Sequence, residues 1–232
     1  MRIGVLLCDH VREYLQPRFG DYPLFFARLL ERIAPQSSVA IYDVTRDQYP
    51  AHTSECDVYL ITGSKKSCYE PEEWIIRLHD YIRQCRVERR PMVGICFGHQ
   101  VMARALGGVV EKSTKGWGVS VHTYLVDEAH EIFDGQRVLR LVCSHQDQVI
   151  EPGRGGEVIG GNDFCPNAII TYDGISISTQ GHPEFSKEYS RTVLDLRRDA
   201  VGEQTYRQAL RDYAKPLDSE LVASSLLYYH RR

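Results

Sequence analysis

The sequence predicts an α/β protein: a central, mostly parallel sheet with helices on both faces, extended by antiparallel strands in its second half. Three observations predict it. Short apolar runs alternate with segments of helical period through the first half of the chain. Two later stretches, 119–126 and 138–143, alternate apolar and polar residues as half-buried strands do. Two further apolar runs, 168–172 and 175–179, flank Asp173-Gly174, a short-hairpin signal.

Taken in order, residues 3–8 form an apolar run that reads as a first buried strand, followed by a polar loop to residue 21. Residues 23–33 carry apolar side chains at helical spacing, and 39–42 and 56–62 read as the next two strands, the latter ending in Gly63-Ser64. Between 72 and 86, Trp74, Ile75, Leu78, Ile82 and Cys85 fall on one stripe of an amphipathic helix. Residues 91–93 give another buried strand, and 101–106 a helix stopped by Gly107-Gly108. This strand–helix alternation is the mark of parallel strands with crossover helices. From about residue 187 the pattern is helical again, over 189–200, 203–214 and 219–229, with Pro216 between the last two. No repeat or linker interrupts the chain, so one domain over 1–232 with a helical tail is expected.

With 232 residues, 43% of them hydrophobic, the chain is long enough for one sizeable core. A net charge of −3 without long single-sign runs argues against nucleic acid or an anionic membrane as partner. The N-terminal apolar run is too short for a signal sequence, and no stretch approaches the length of a membrane span. Seven cysteines, an odd number without a C-x-x-C pair, predict free thiols and a reducing, cytoplasmic home.

One of these cysteines stands apart. Gly94-Ile95-Cys96-Phe97-Gly98-His99-Gln100 lies where a strand turns into a helix, with a glycine two residues to either side of Cys96. This is the nucleophile-elbow pattern G-x-S-x-G with cysteine in place of serine. The turn lifts one side chain into the open, and the start of the helix favours a thiolate there. The N–H of Phe97 is placed to donate to an oxyanion. Downstream, Thr179-Gln180-Gly181-His182-Pro183-Glu184-Phe185 also follows a strand. Residues two apart in extended chain point the same way, so Glu184 reaches back to His182 and sets its tautomer. Cys96, His182 and Glu184 thus supply a nucleophile, a base and an orienting carboxylate for acyl transfer. Cys96 and His99 also make C-x-x-H, but no second ligand pair has useful spacing, so neither metal nor cofactor is expected. Trp117 reads as a pocket wall or core filler, and Lys65 and Lys66 as ligands for a substrate carboxylate or as solvated loop residues.

Together the two stretches resemble the class I, or triad, glutamine amidotransferases, which carry a Gly-x-Cys-x-Gly-x-Gln elbow and a His-Pro-Glu segment. The resemblance runs along almost the whole chain. It includes Ser144-His145-Gln146-Asp147-Gln148-Val149, similar to that family's Ser-His-x-Asp-x-Val segment. Among its branches the chain is most similar to stand-alone proteins akin to the amidotransferase domain of GMP synthase, a group that includes γ-glutamyl peptidases. The resemblance implies a flavodoxin-like fold and catalysis by Cys96, His182 and Glu184. It also implies an oxyanion hole from the N–H groups of Gly63 and Phe97, and a substrate pocket with Gln100, Gly98, His145 and Asp147. Where many members have Gly-Gly-Pro, this chain reads Thr62-Gly63-Ser64-Lys65-Lys66, which bears on the acceptor chemistry more than on the thioester chemistry. Three functions stay open: a glutaminase subunit supplying ammonia to a separate synthase chain, a self-sufficient γ-glutamyl peptidase, and a non-catalytic regulator. The last would be marked by a lost triad residue, and none is lost.

Overall fold

The computed structural model describes residues 1–231. Eleven strands run in chain order as β1 (Arg2–Leu7), β2 (Ser38–Asp43), β3 (Val58–Ile61), β4 (Met92–Ile95), β5 (Val109–Lys112), β6 (Gly118–Val126), β7 (Val138–His145), β8 (Asp147–Glu151), β9 (Gly156–Gly161), β10 (Ile169–Tyr172) and β11 (Ser176–Thr179). The helices are α1 (Gln16–Phe19), α2 (Tyr22–Ile33), α3 (Glu73–Val87), α4 (Phe97–Ala105), α5 (Lys187–Leu196), α6 (Arg198–Val201), α7 (Glu203–Asp212) and α8 (Ser219–Tyr228).

Nine strands form one sheet in the order β2-β1-β3-β4-β11-β10-β9-β6-β7, and β5 pairs with β8 in a separate ribbon. The first five strands of that order pair parallel. The rest pair antiparallel. The expected parallel sheet with an antiparallel extension is therefore what the chain builds. Alternation along the parallel strands divides the core: Ile3, Val5, Leu60, Val93 and Ile95 pack with Phe26 and Leu30 of α2 and Val222 and Leu226 of α8. Leu6, Tyr59, Ile61 and Met92 face the other way, against Ile75, Leu78 and Ile82 of α3 and Val101 and Met102 of α4. Period-two strands under period-3.6 helices thus cover both faces of the sheet. Asp173-Gly174 makes the hairpin turn between β10 and β11, both residues at positive φ (50° and 71°), as that turn requires.

Parallel pairing brings the carboxyl ends of β1, β3, β4 and β11 to one edge of the sheet. There Thr62 N–H donates to Leu6 O (3.1 Å), Cys8 N–H to Thr62 Oγ1 (2.9 Å) and Cys96 N–H to Thr179 O (2.9 Å). Open α/β sheets bind ligands at that edge.

Three differences from the sequence reading have physical causes. Helix α4 starts at Phe97, not at residue 101, because Gly98 and polar His99 and Gln100 blur its periodicity while tertiary packing holds it. The helix expected over 189–200 is interrupted at Arg197, which leaves α6 as a separate turn. Strands β5, β8 and β9 are short, and β9 (GEVIGG) is glycine-rich, so none showed clear alternation. No helix among the described residues is long and apolar enough to cross a membrane.

The two elbow glycines meet each other. A Cβ on Gly94 would lie 2.6 Å from Gly98 O, and one on Gly98 only 2.2 Å from Ile61 O. The obstacles are backbone, which cannot rotate aside. Gly98→Ala is expected to cost about 3 kcal/mol of stability, read as a lower urea midpoint; an unchanged midpoint would contradict this packing.

Candidate active site

Cys96 occupies the single residue between β4 and α4. Its backbone lies at φ 53°, ψ −101°, a left-handed conformation that non-glycine residues adopt at a cost of about 1–3 kcal/mol. Three contacts over-determine it: Cys96 N–H to Thr179 O, Gly98 N–H to Thr62 O (3.1 Å) and Gln100 N–H to Cys96 O (3.1 Å). The N–H groups of Gly63 and Phe97, by contrast, have no acceptor among the described residues. Gly63 packs close to the cysteine: a Cβ there would fall 3.0 Å from His182 Cε1 and 3.7 Å from Cys96 Cβ.

His182 reaches this edge in the segment that leaves β11. Its N–H donates to Val142 O (2.8 Å), an isolated bridge that pins it to β7. Gly181 permits that crossing, since a Cβ there would lie 2.7 Å from Leu141 Cβ. Nδ1–H donates to Glu184 Oε1 at 2.7 Å, and both side chains are buried. The imidazole lies flat on the Phe185 ring, centroids 3.9 Å apart and planes 5° apart. Phe185 is itself packed against Tyr22, Phe25 and Tyr189. With Nδ1 committed to the carboxylate, the other ring nitrogen is left to exchange a proton with Cys96, which lines the same hollow. Burial alone would lower the His182 pKa. The negative Glu184 first, and then the neighbouring Cys96, outweigh it and raise the pKa from 6.5 to about 10. The ring is therefore an imidazolium at neutral pH. Burial pushes the thiols of Cys8, Cys56, Cys68, Cys85, Cys143 and Cys165 up, Cys165 to about 12.

Cys96 opens on two hollows. One, of about 120 Å³, is lined by Ser67, Gln100, Trp117, His145 and Asp147. Gln100 Nε2 donates to Asp147 O (2.8 Å) and Gln180 Oε1 (3.1 Å), tying the elbow helix to β8. His145 Nδ1 donates to Asp147 O (3.0 Å), and Ser67 Oγ to Asp147 Oδ2 (2.6 Å). Burial drives the His145 pKa down to about 3, so at neutral pH it is a neutral wall. The other hollow, of about 60 Å³, lies towards Asp9, Arg12, Tyr22, Phe185 and Tyr189. Ser64, Lys65, Ser144 and Arg197 border both.

The structure thus gathers Cys96, His182, Glu184, Gly63, Phe97, Gln100, His145 and Asp147 at one edge. Gly98 N–H goes to Thr62 O and its α-carbon faces Ile61, so close packing accounts for a glycine at this position. Lys65 and Lys66 are likewise committed, Lys65 to Asp9 (2.9 Å) and Lys66 to Glu70 and Glu72. His99 bonds Ser178 Oγ (2.8 Å) inside the core. Sequence reasoning missed Arg12, Ser67, Asp9 and Arg197. No local pattern marks them; they come from loops and helix ends brought together by the fold.

The family model of the class I glutamine amidotransferases matches residues 28–195. A glutamine amidotransferase-like protein of Schizosaccharomyces pombe is 28% identical over 98% of this chain and 97% of its own length. Gamma-glutamyl peptidase 2 of Arabidopsis thaliana is 31% identical over 59% of this chain and 57% of its own. The crystal structure of a glutamine amidotransferase from Thermotoga maritima superposes with a TM-score of 0.72 at 18% identity, covering 98% of this chain and 96% of that one.

Proposed function

The chain belongs to the class I glutamine amidotransferase family, and on that footing we propose that it hydrolyses the γ-glutamyl amide of glutamine through a thioester on Cys96. The observation that carries this reading is the buried Cys96–His182–Glu184 line, set beside two unpaired N–H groups on Gly63 and Phe97. The Cys96 sulfur attacks the γ-carbonyl, whose oxygen takes the developing charge and accepts from those two N–H groups. The carbonyl re-forms as the C–N bond breaks, and the leaving ammonia departs with the proton from the His182 imidazolium. The neutral imidazole then takes a proton from water, which attacks the thioester and releases glutamate. Glu184 holds the ring and its charge throughout. The glutamyl group lies in the hollow of Gln100 and Asp147, where the Asp147 carboxylate meets the α-ammonium group. Ammonia released in this way serves a synthesis only if a separate acceptor chain is present. Seven free, buried cysteines fit a reducing compartment such as the cytoplasm.

A second reading, cleavage of γ-glutamyl peptides, is favoured by the second hollow beside Cys96, which gives space to a leaving group larger than ammonia. The test is glutamate release by the purified protein from glutamine and from γ-glutamyl peptides, with Cys96→Ala as control. Release that vanishes in the control supports the hydrolase; silence on every substrate sinks it.

A further inference from the structure

Charge in the second hollow does not balance. Of its carboxylates, Asp9 is paired with Lys65 Nζ at 2.9 Å and Glu184 with His182, and Cys96 also faces that imidazole. Two cations, Arg12 and Arg197, remain. Neither has a carboxylate at ion-pairing distance among the described residues, although both line the hollow. Arg12 is exposed at its rim and contacts Tyr14 Oη only distantly, at 3.4 Å.

Arg197 is the more telling of the two. It sits at the break between α5 and α6, with φ −108° and ψ 9°. That break places a half-buried guanidinium at the mouth of the site, beside the hollow that holds Cys96. Its Nη1 donates to Ser144 Oγ at 2.7 Å, and its plane lies over the Trp117 ring, 4.9 Å from the centroid. A hydroxyl and an aromatic face use one side of a group that has five N–H donors. Holding such a cation partly out of water without a carboxylate partner is costly. Its planar fork is the geometry that binds a carboxylate through two hydrogen bonds.

We propose that Arg197, with Arg12 at the rim, binds a carboxylate carried by the departing amine. The preferred substrates are then γ-glutamyl compounds whose amine portion ends in a free carboxylate. This rests on the hydrolase reading above and chooses among its substrates: ammonia leaving from glutamine carries no such group. The bond changes are the same, the C–N bond breaking as the amine takes the His182 proton.

The test compares γ-glutamylglycine with γ-glutamylglycinamide, which differ only in that carboxylate, and includes glutamine. The wild-type protein is expected to favour the acid in kcat/KM. Arg197→Gln is expected to lower kcat/KM for the acid on the order of 50-fold, mostly through KM, and for the amide at most about threefold. Arg197→Lys is expected to recover part of the loss, and Arg12→Gln, at an exposed position, to give a smaller loss of the same selectivity. Equal turnover of acid and amide by the wild type overturns the proposal. So does an equal fall for both in Arg197→Gln, which would place Arg197 on the glutamyl α-carboxylate. Turnover of glutamine with neither dipeptide cleaved also overturns it while leaving the hydrolase reading intact. No turnover of any of the three would refute the hydrolase reading itself.

Discussion

Cys96→Ala and His182→Ala are each expected to lower kcat/KM for a γ-glutamyl substrate by at least about 10⁴-fold, and the double variant by little more. The reason is that nucleophile and base act as one unit: they line the same hollow and the sulfur needs the ring to move its proton, so removing either disables the other. Glu184→Gln is expected to cost less than either, on the order of one to two decades less. Without that charge the His182 ring is still held by the flat stack on Phe185, and its backbone by the N–H bond to Val142 O. Steady-state kinetics on the four variants, with circular dichroism to confirm folding, checks the order. Additive losses in the double variant would mean that the two groups act separately.

The second large effect is on titration. In the wild-type protein His182 is expected to stay protonated until the pH approaches about 10. Burial, the largest single influence, opposes this, and the negative charge of Glu184 does most to overcome it. In Glu184→Gln that charge is gone and burial is not, so the pKa is expected to fall clearly below the wild-type value. NMR of the imidazole carbons reads both proteins. Titration of the wild-type ring near 6.5 would refute the ion-pair account. Stability follows with a definite sign. The raised pKa stabilises the fold fully below 6.5, the ordinary imidazole value, and that contribution is lost as pH rises towards about 10. The wild type should therefore lose more stability between those values than Glu184→Gln does.

The fold was legible where a pattern had room to repeat. The stripe from Ile75 to Cys85, the alternation of β6 and β7, and the Asp173-Gly174 turn each carry their own signal. Short or glycine-rich strands such as β9 carry none, and their place comes from pairing with β10 and β6. Within the site, Cys96 and His182–Glu184 were legible because their geometry is local: a glycine on each side of an elbow, and two residues one pleat apart. The resemblance supplied Gly63, Gln100, His145 and Asp147, which spacing alone does not connect to Cys96. It also named Gly98, whose lack of a side chain the structure accounts for by a close backbone contact with Ile61. Arg197 was not legible at all. It lies within a continuous helical pattern, and only the break after Leu196 turns it towards the site.

The central claim is a covalent γ-glutamyl thioester on Cys96, and the most direct measurement looks for that bond. Protein mixed with substrate, quenched in acid within the first turnover and digested, is read by mass spectrometry. The account predicts the mass of one γ-glutamyl group on the peptide that contains Cys96. It predicts none on those of Cys143 and Cys165, and none anywhere in Cys96→Ala. Product formed with no adduct at any time point, or an adduct on another cysteine, would contradict it.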